Sequence, residues 1–280
     1  MSDISVFSHH AMTTNWEVRI AGEDPGYAEQ AAAAAFQWAD RIEALLSRFR
    51  EESEFSAISR LAPGGKLKLS EPVFSCLALA RECEDLTGGA FSLGATAIRQ
   101  GLPPPAWSLD HSAHEITVGA ANCLLDAGAI GKGFALDRMA EELADWEVAS
   151  FLLVSGGSSV LAGDPPPGAP GWKAGIGDGP HRREFFLCRA GFGASGFAVK
   201  GDHITDPRTG NPATFHVRTW ALARSAAQAD ALSTAWMCLP SSQIQDICGS
   251  DSLRGAALLS DEGKLILFGA MKNLPHAQNC

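Results

Sequence analysis

Three short stretches of the 280-residue chain carry residue types whose spacing could do chemistry. The first is ADALST (229–234), where Asp230 and Thr234 stand four residues apart and would share one face of a helix. A carboxylate and a hydroxyl aimed at one point offer two hard oxygens, the donor type that Mg²⁺ takes while leaving its other positions to water or phosphate. The alternative is an Asp paired locally and a Thr bonded back to its own helix. The second stretch is GDHITDPRTGNP (201–212). His203 is of the type most used as a general base near neutral pH, and Arg208 can hold an anion through two parallel hydrogen bonds. Asp206-Pro207 has turn chemistry, so a hairpin turn with an exposed His and Arg would read the same way. The third is LLDAGAIGKGFALDRM (124–139), an apolar run followed by Gly128, Gly131 and Gly133, with Lys132 between the last two. Glycines let backbone N–H groups approach a ligand closely. A helix N-terminus adds unpaired donors and partial positive charge, which suit a phosphate. The stretch is neither a Walker A loop nor G-x-G-x-x-G. It is a candidate anion or diphosphate cradle, or else a strand-to-helix turn with a surface lysine.

The elements that must position these residues follow from periodicity. Residues 12–20 alternate as a strand, and 22–26 form a turn. Residues 27–49 form a long helix, with Phe36, Ala39, Ile42, Leu45, Leu46 and Phe49 at helical spacing. Residues 50–59 read as a polar loop, and 71–86 as a helix with Pro72 in its first turn and glycines at its end. Short strands are expected at 115–118 and 123–125. A helix then runs from 134 to about 146, and a buried strand covers 150–155. A hairpin is expected from 172–177 and 183–188. Strands at 191–195 and 220–223, a helix at 226–238 and a closing hairpin around Asp261-Glu262-Gly263 complete the order. Strands and helices mix without a βαβ rhythm, which predicts an α+β fold with mostly antiparallel sheet. No internal repeat or linker divides the chain, so one domain spanning 1–280 is expected.

Composition narrows the classes. Apolar residues make up 46% and charged residues 19%, a globular balance. The net charge of −10 argues against a nucleic-acid backbone as partner but not against one local phosphate site. No apolar run is long enough to span a membrane, and the N-terminal stretch has neither a basic nor a continuous apolar region, so no signal peptide or lipidation site is expected. The seven cysteines are scattered with no C-x-x-C, which fits reduced thiols in the cytoplasm and not a cysteine metal site.

Together the three stretches resemble the ApbE-like FAD:protein FMN transferases. The family's Asp-x-Gly-x-Ile-x-Lys-Gly-[Tyr/Phe]-x-x-Asp block matches DAGAIGKGFALD (126–137). Its His-Ile-x-Asp-Pro-x-Thr-Gly block matches HITDPRTG (203–210), and its Ala-Asp-Ala-Leu-x-Thr block matches ADALST. Weaker blocks agree in order: AMTTNWEV near the start, SRFREESEFSAIS (47–59), TGGAF at Thr87, SGGSS at Ser155 and ASG at Ala194. The resemblance covers nearly the whole chain and implies a single ApbE-like, T-fold-like domain. It implies transfer of FMN from FAD to a Thr or Ser hydroxyl of a target flavoprotein, with release of AMP. It further implies Mg²⁺ held by Asp230, Thr234 and, by position, the Ala129 carbonyl. His203 would be the base, with Asp206 orienting it. Met12, Ser53, Ala129, Gly131, Lys132, Gly133 and Arg208 would contact FAD. The chain departs from the family pattern at Ser158 and Ser92, where Asp is expected, and at Phe49 and Phe197, where Tyr is common. Its 92–123 segment is short, with Pro103, Pro104 and Pro105 in place of a helix. These changes fall on the flavin and nucleotide side of the site, and they keep two alternatives open: a non-catalytic flavin-binding paralogue, and an FAD hydrolase giving FMN and AMP.

Overall fold

The first two strands, β1 (Ile4–Ala11) and β2 (Thr14–Ala21), form a tight hairpin. The structure, a computed structural model, describes residues 4–177, 182–196 and 204–275. After the hairpin come helix α1 (Pro25–Leu46), the short helix α2 (Glu54–Ser59), strand β3 (Lys66–Lys68), helix α3 (Glu71–Leu86) and helix α4 (Ala95–Arg99). Strands β4 (Trp107–Asp110) and β5 (Glu115–Val118) lead to helix α5 (Gly131–Asp145). The chain continues through β6 (Phe151–Ser155), β7 (Ser159–Ala162), β8 (Trp172–Ile176), β9 (Arg183–Leu187), β10 (Ala190–Gly196) and β11 (Arg218–Ala223). Helices α6 (Ala226–Met237) and α7 (Ser241–Gly249) precede the last hairpin, β12 (Gly255–Leu259) and β13 (Leu265–Gly269).

Eight strands make one sheet in the order β1-β2-β6-β7-β10-β11-β12-β13, with every pairing antiparallel. The α+β expectation therefore holds. Alternation along each strand divides the core in two. Leu153 and Leu161 face the helices, whereas Leu152 and Ala162 face the hairpin of β8 and β9. Helix α6 lies against β10 and β11 and packs on α5, which packs in turn on α1. The approach of α6 to the sheet depends on two glycines in β10. A Cβ on Gly191 would lie 2.3 Å from the Ser225 carbonyl carbon, and one on Gly193 would lie 2.4 Å from the Ala229 oxygen. Absence of side chains there lets the helix backbone rest on the strand.

Several elements differ from the sequence expectation. The strand expected at 12–20 is the second half of a hairpin, because Met12 and Thr13 form its two-residue turn with φ of 48° and 58°. Positive φ at both positions is the geometry normally signalled by Asn-Gly, and this sequence carries no such signal. Part of the expected polar loop, 54–59, is helix α2, started by the Ser53 hydroxyl accepting the Ser56 N–H at 3.0 Å. Residues 123–125 are not in a strand. Strands β3, β4 and β7 and helices α4 and α7 were not anticipated.

Candidate functional site

Asp230 sits in the middle of α6 and is 4% exposed. A buried carboxylate needs partners, and α5 supplies them. The Gly133 N–H donates to Asp230 Oδ2 at 2.8 Å, and Lys132 Nζ stands 3.6 Å from the same oxygen. Burial pushes the Asp230 carboxyl up, while the Lys132 charge, the Ser159 hydroxyl and the Gly133 N–H pull the other way. Gly133 is in the first turn of α5, where backbone N–H groups have no partner within the helix. Asp230 supplies that partner from α6. Of the three oxygen donors expected from the resemblance, Asp230 and Thr234 lie one turn apart on α6, and Ala129 lies in the turn that precedes α5.

Thr234 lies one turn beyond Asp230. Its hydroxyl is 3.1 Å from Ser195 Oγ and donates to the Asp230 carbonyl at 3.3 Å. Ser195 also meets Ser233 Oγ at 3.0 Å. This row of hydroxyls at the end of β10 had no assigned role in the sequence, although the ASG block contained Ser195. The same end of the sheet carries the Met12–Thr13 turn and the 156–158 turn. Gly156 N–H donates to the Asn15 carbonyl at 2.9 Å and Ala194 N–H to the Ser158 carbonyl at 2.7 Å. Met12, partly buried, packs against the core there. Gly131 and Gly133 open α5, with Lys132 between them.

The 204–213 segment is a tight turn closed by the Thr205–Pro212 bridge. Asp206 accepts the Arg208 N–H and Nε–H on one oxygen and Nη2–H on the other, at 2.7–3.0 Å. Burial works against the charge on Asp206, but the Arg208 bonds hold its carboxyl below the usual range. Arg208 also donates to the Cys238 carbonyl at the end of α6, which ties this loop to the helix that carries Asp230. Gly89 lies beside it, a Cβ there reaching 3.6 Å from Arg208 Cγ. His203 lies outside the described residues.

Asp126 forms a hub. Its Oδ2 accepts from Arg48 Nε at 3.0 Å and Thr96 Oγ1 at 2.7 Å, while Oδ1 accepts the Gly128 N–H at 2.9 Å. Arg48 lies over the Phe49 ring at 4.0 Å, and that ring is 79% exposed. Ser53 is 1% exposed, with its hydroxyl shared between the Ser47 carbonyl and the α2 cap. Ser53, expected to contact FAD, is thus engaged in holding the local fold. Among the described residues no cluster of three or more His, Cys, Asp or Glu could hold a metal.

In this helix pair a buried carboxylate on α6 lies against the glycine-rich, lysine-bearing start of α5. The sequence profile described as the ApbE family matches residues 12–258, and the chain belongs to that family. A protein named FAD:protein FMN transferase from Klebsiella pneumoniae (strain 342) is 22% identical over 297 aligned positions, covering 90% of this chain and 83% of its own. The fold matches the flavin transferase ApbE from Vibrio cholerae, with a TM-score of 0.82, 17% identity and coverage of 98% and 100%. It also matches the apo flavinyl transferase ApbE of Pseudomonas stutzeri, with a TM-score of 0.83, 20% identity and coverage of 99% and 98%.

Proposed function

We propose that this chain is an FAD:protein FMN transferase that moves FMN from FAD to a Thr or Ser hydroxyl of an acceptor flavoprotein and releases AMP. The reading is supported by the curated relative named FAD:protein FMN transferase and by structural neighbours named flavin or flavinyl transferase. The observation that carries the reading is the Gly133–Asp230 bond. It joins the candidate phosphate cradle to the helix that carries Asp230 and Thr234. The Asp230 carboxylate, the Thr234 hydroxyl and, by position, the Ala129 carbonyl would supply hard oxygens to Mg²⁺, the metal proposed here. When bound, the metal would neutralise charge on the FAD diphosphate.

The chain's own residues would do the rest. Lys132, the N–H groups at the start of α5 and Arg208 would hold phosphate oxygens. Met12 and Ser53 are the proposed FAD contacts at the sheet end and the α2 cap. His203 would take the proton of the acceptor hydroxyl as its oxygen bonds to the FMN phosphorus and the bond to the AMP oxygen breaks. Asp206 would position this loop through Arg208. A cytoplasmic acceptor fits the reduced cysteines, since the six among the described residues are free. No helix among the described residues is long and apolar enough to cross a membrane.

The test is chromatography of FAD, FMN and AMP after incubation with FAD and Mg²⁺, with and without a protein bearing the target Thr, alongside Asp230→Ala. AMP release that requires acceptor, with FMN mass added to the acceptor, is the expected result. Asp230→Ala should lower it at least about 100-fold, as loss of a group that organises charge at the phosphates would. AMP released at an equal rate without acceptor would instead identify a hydrolase, and intact FAD in every tube would count against an enzyme.

A further inference from the structure

We propose that Asp137 is a positioning residue whose carboxylate, by gripping the first turn of α6 from α5, sets the distance between the Lys132 cradle and the Asp230–Thr234 pair. The inference rests on the transferase reading. Asp137 lies four residues after Gly133 and so on the same face of α5. One of its oxygens accepts the Ala226 N–H at 2.8 Å and the other the Ala227 N–H at 3.0 Å. Four residues further along α6 is Asp230, which accepts the Gly133 N–H. The two helices are therefore joined at two points, Gly133 to Asp230 and Asp137 to the 226–227 amides. Between these ties the backbones are in close contact, and a Cβ on Gly133 would lie 2.2 Å from the Ala226 carbonyl oxygen.

Capping is only part of what this residue does, because it takes the first two amides of α6 from a different helix. Helix α6 already has an N-cap in Ser225, whose hydroxyl accepts the Gln228 N–H at 3.1 Å. Burial pushes the Asp137 carboxyl up to about 7, against the pull of the two N–H donors, with the charges of Asp230 and Glu141 adding to the rise. An ionisable group is thus kept where its charge is disfavoured, and what it contributes beyond a cap is the cross-helix tie.

The experiment compares Asp137→Ala, Asp137→Asn and Ser225→Ala with the wild-type full-length protein. Each is titrated with Mg²⁺ in the presence of FAD, reading flavin fluorescence quenching, well below the melting temperature of the least stable variant. Ser225→Ala removes a cap bond from the same helix turn but leaves the tie to α5 intact. Asp137→Asn keeps one carbonyl oxygen for one of the two N–H groups, and it serves if Asp137→Ala fails to fold. The expected result is a Mg²⁺ requirement raised roughly tenfold in Asp137→Ala, as loss of a charge-assisted bond would give. A smaller rise is expected in Asp137→Asn, and none in Ser225→Ala. An unchanged requirement in both Asp137 variants, or an equal rise in Ser225→Ala, would overturn the inference and leave Asp137 a helix cap. Wild-type protein that shows no Mg²⁺-dependent FAD binding would overturn the reading beneath it instead.

Discussion

Asp230 and Asp137 are two carboxylates facing one helix pair, and both are pushed toward the neutral form by burial. The consequence for stability has a definite sign. An Asp whose folded pKa lies near 7 and whose unfolded value lies near 3.8 binds a proton in the folded state that the unfolded state has lost. Its contribution is complete below about pH 4 and disappears as pH rises through about 7, with a slope of at most about 1.4 kcal/mol per pH unit. Asp137→Asn removes that slope. Urea midpoints of the metal-free protein at pH 5 and 7.5 should therefore converge in the variant relative to the wild type, and an unchanged difference would show that Asp137 stays ionised throughout. Asp206 behaves oppositely, because Arg208 holds it ionised, and its contribution is lost only as pH falls through its depressed pKa.

At the scale of elements, the site is an agreement between α5, α6 and β10. The glycines of β10 set how deeply α6 lies on the sheet, and Gly133 sets how closely α5 lies on α6. Gly193→Ala would place a methyl carbon 2.4 Å from the Ala229 oxygen and 2.8 Å from the Asp230 nitrogen. It should cost about 1–3 kcal/mol of stability, as overpacking does, and should reduce FMN transfer as well. Gly249→Ala, where nothing lies within 4 Å, should do neither. Urea denaturation together with the transfer assay would check both. Much of this was legible beforehand. The 71–86 helix coincides with α3, and the 226–238 helix is α6 to within a residue. Asp230 and Thr234 do share a face. The close approach of backbones was not legible, because a glycine that admits a neighbouring helix looks in sequence like a glycine in a loose strand. For the same reason the Gly133–Asp230 bond and the grip of Asp137 depend on contacts about 90 residues apart in the chain, which no local pattern records.

The whole molecule collects its chemistry at one end of the sheet. The Met12–Thr13 turn, the 156–158 turn, the hydroxyls beyond β10 and the C-terminal half of α6 meet there, in a chain of net charge −10. The Arg208 loop is tied to the end of that helix. The hairpin turn is the point where fitness for heat and fitness for chemistry diverge. Met12 and Thr13 both hold left-handed backbone, a conformation that disfavours side chains. Replacing the pair with Asn-Gly should raise stability by roughly 1 kcal/mol or more, measured by thermal melting. The same change would remove Met12, the proposed contact with FAD, and should weaken FAD binding measured by fluorescence. A laboratory selection for thermal endurance alone would therefore converge on a sturdier protein with a poorer grip on its nucleotide, and the variants it discarded would include the working one.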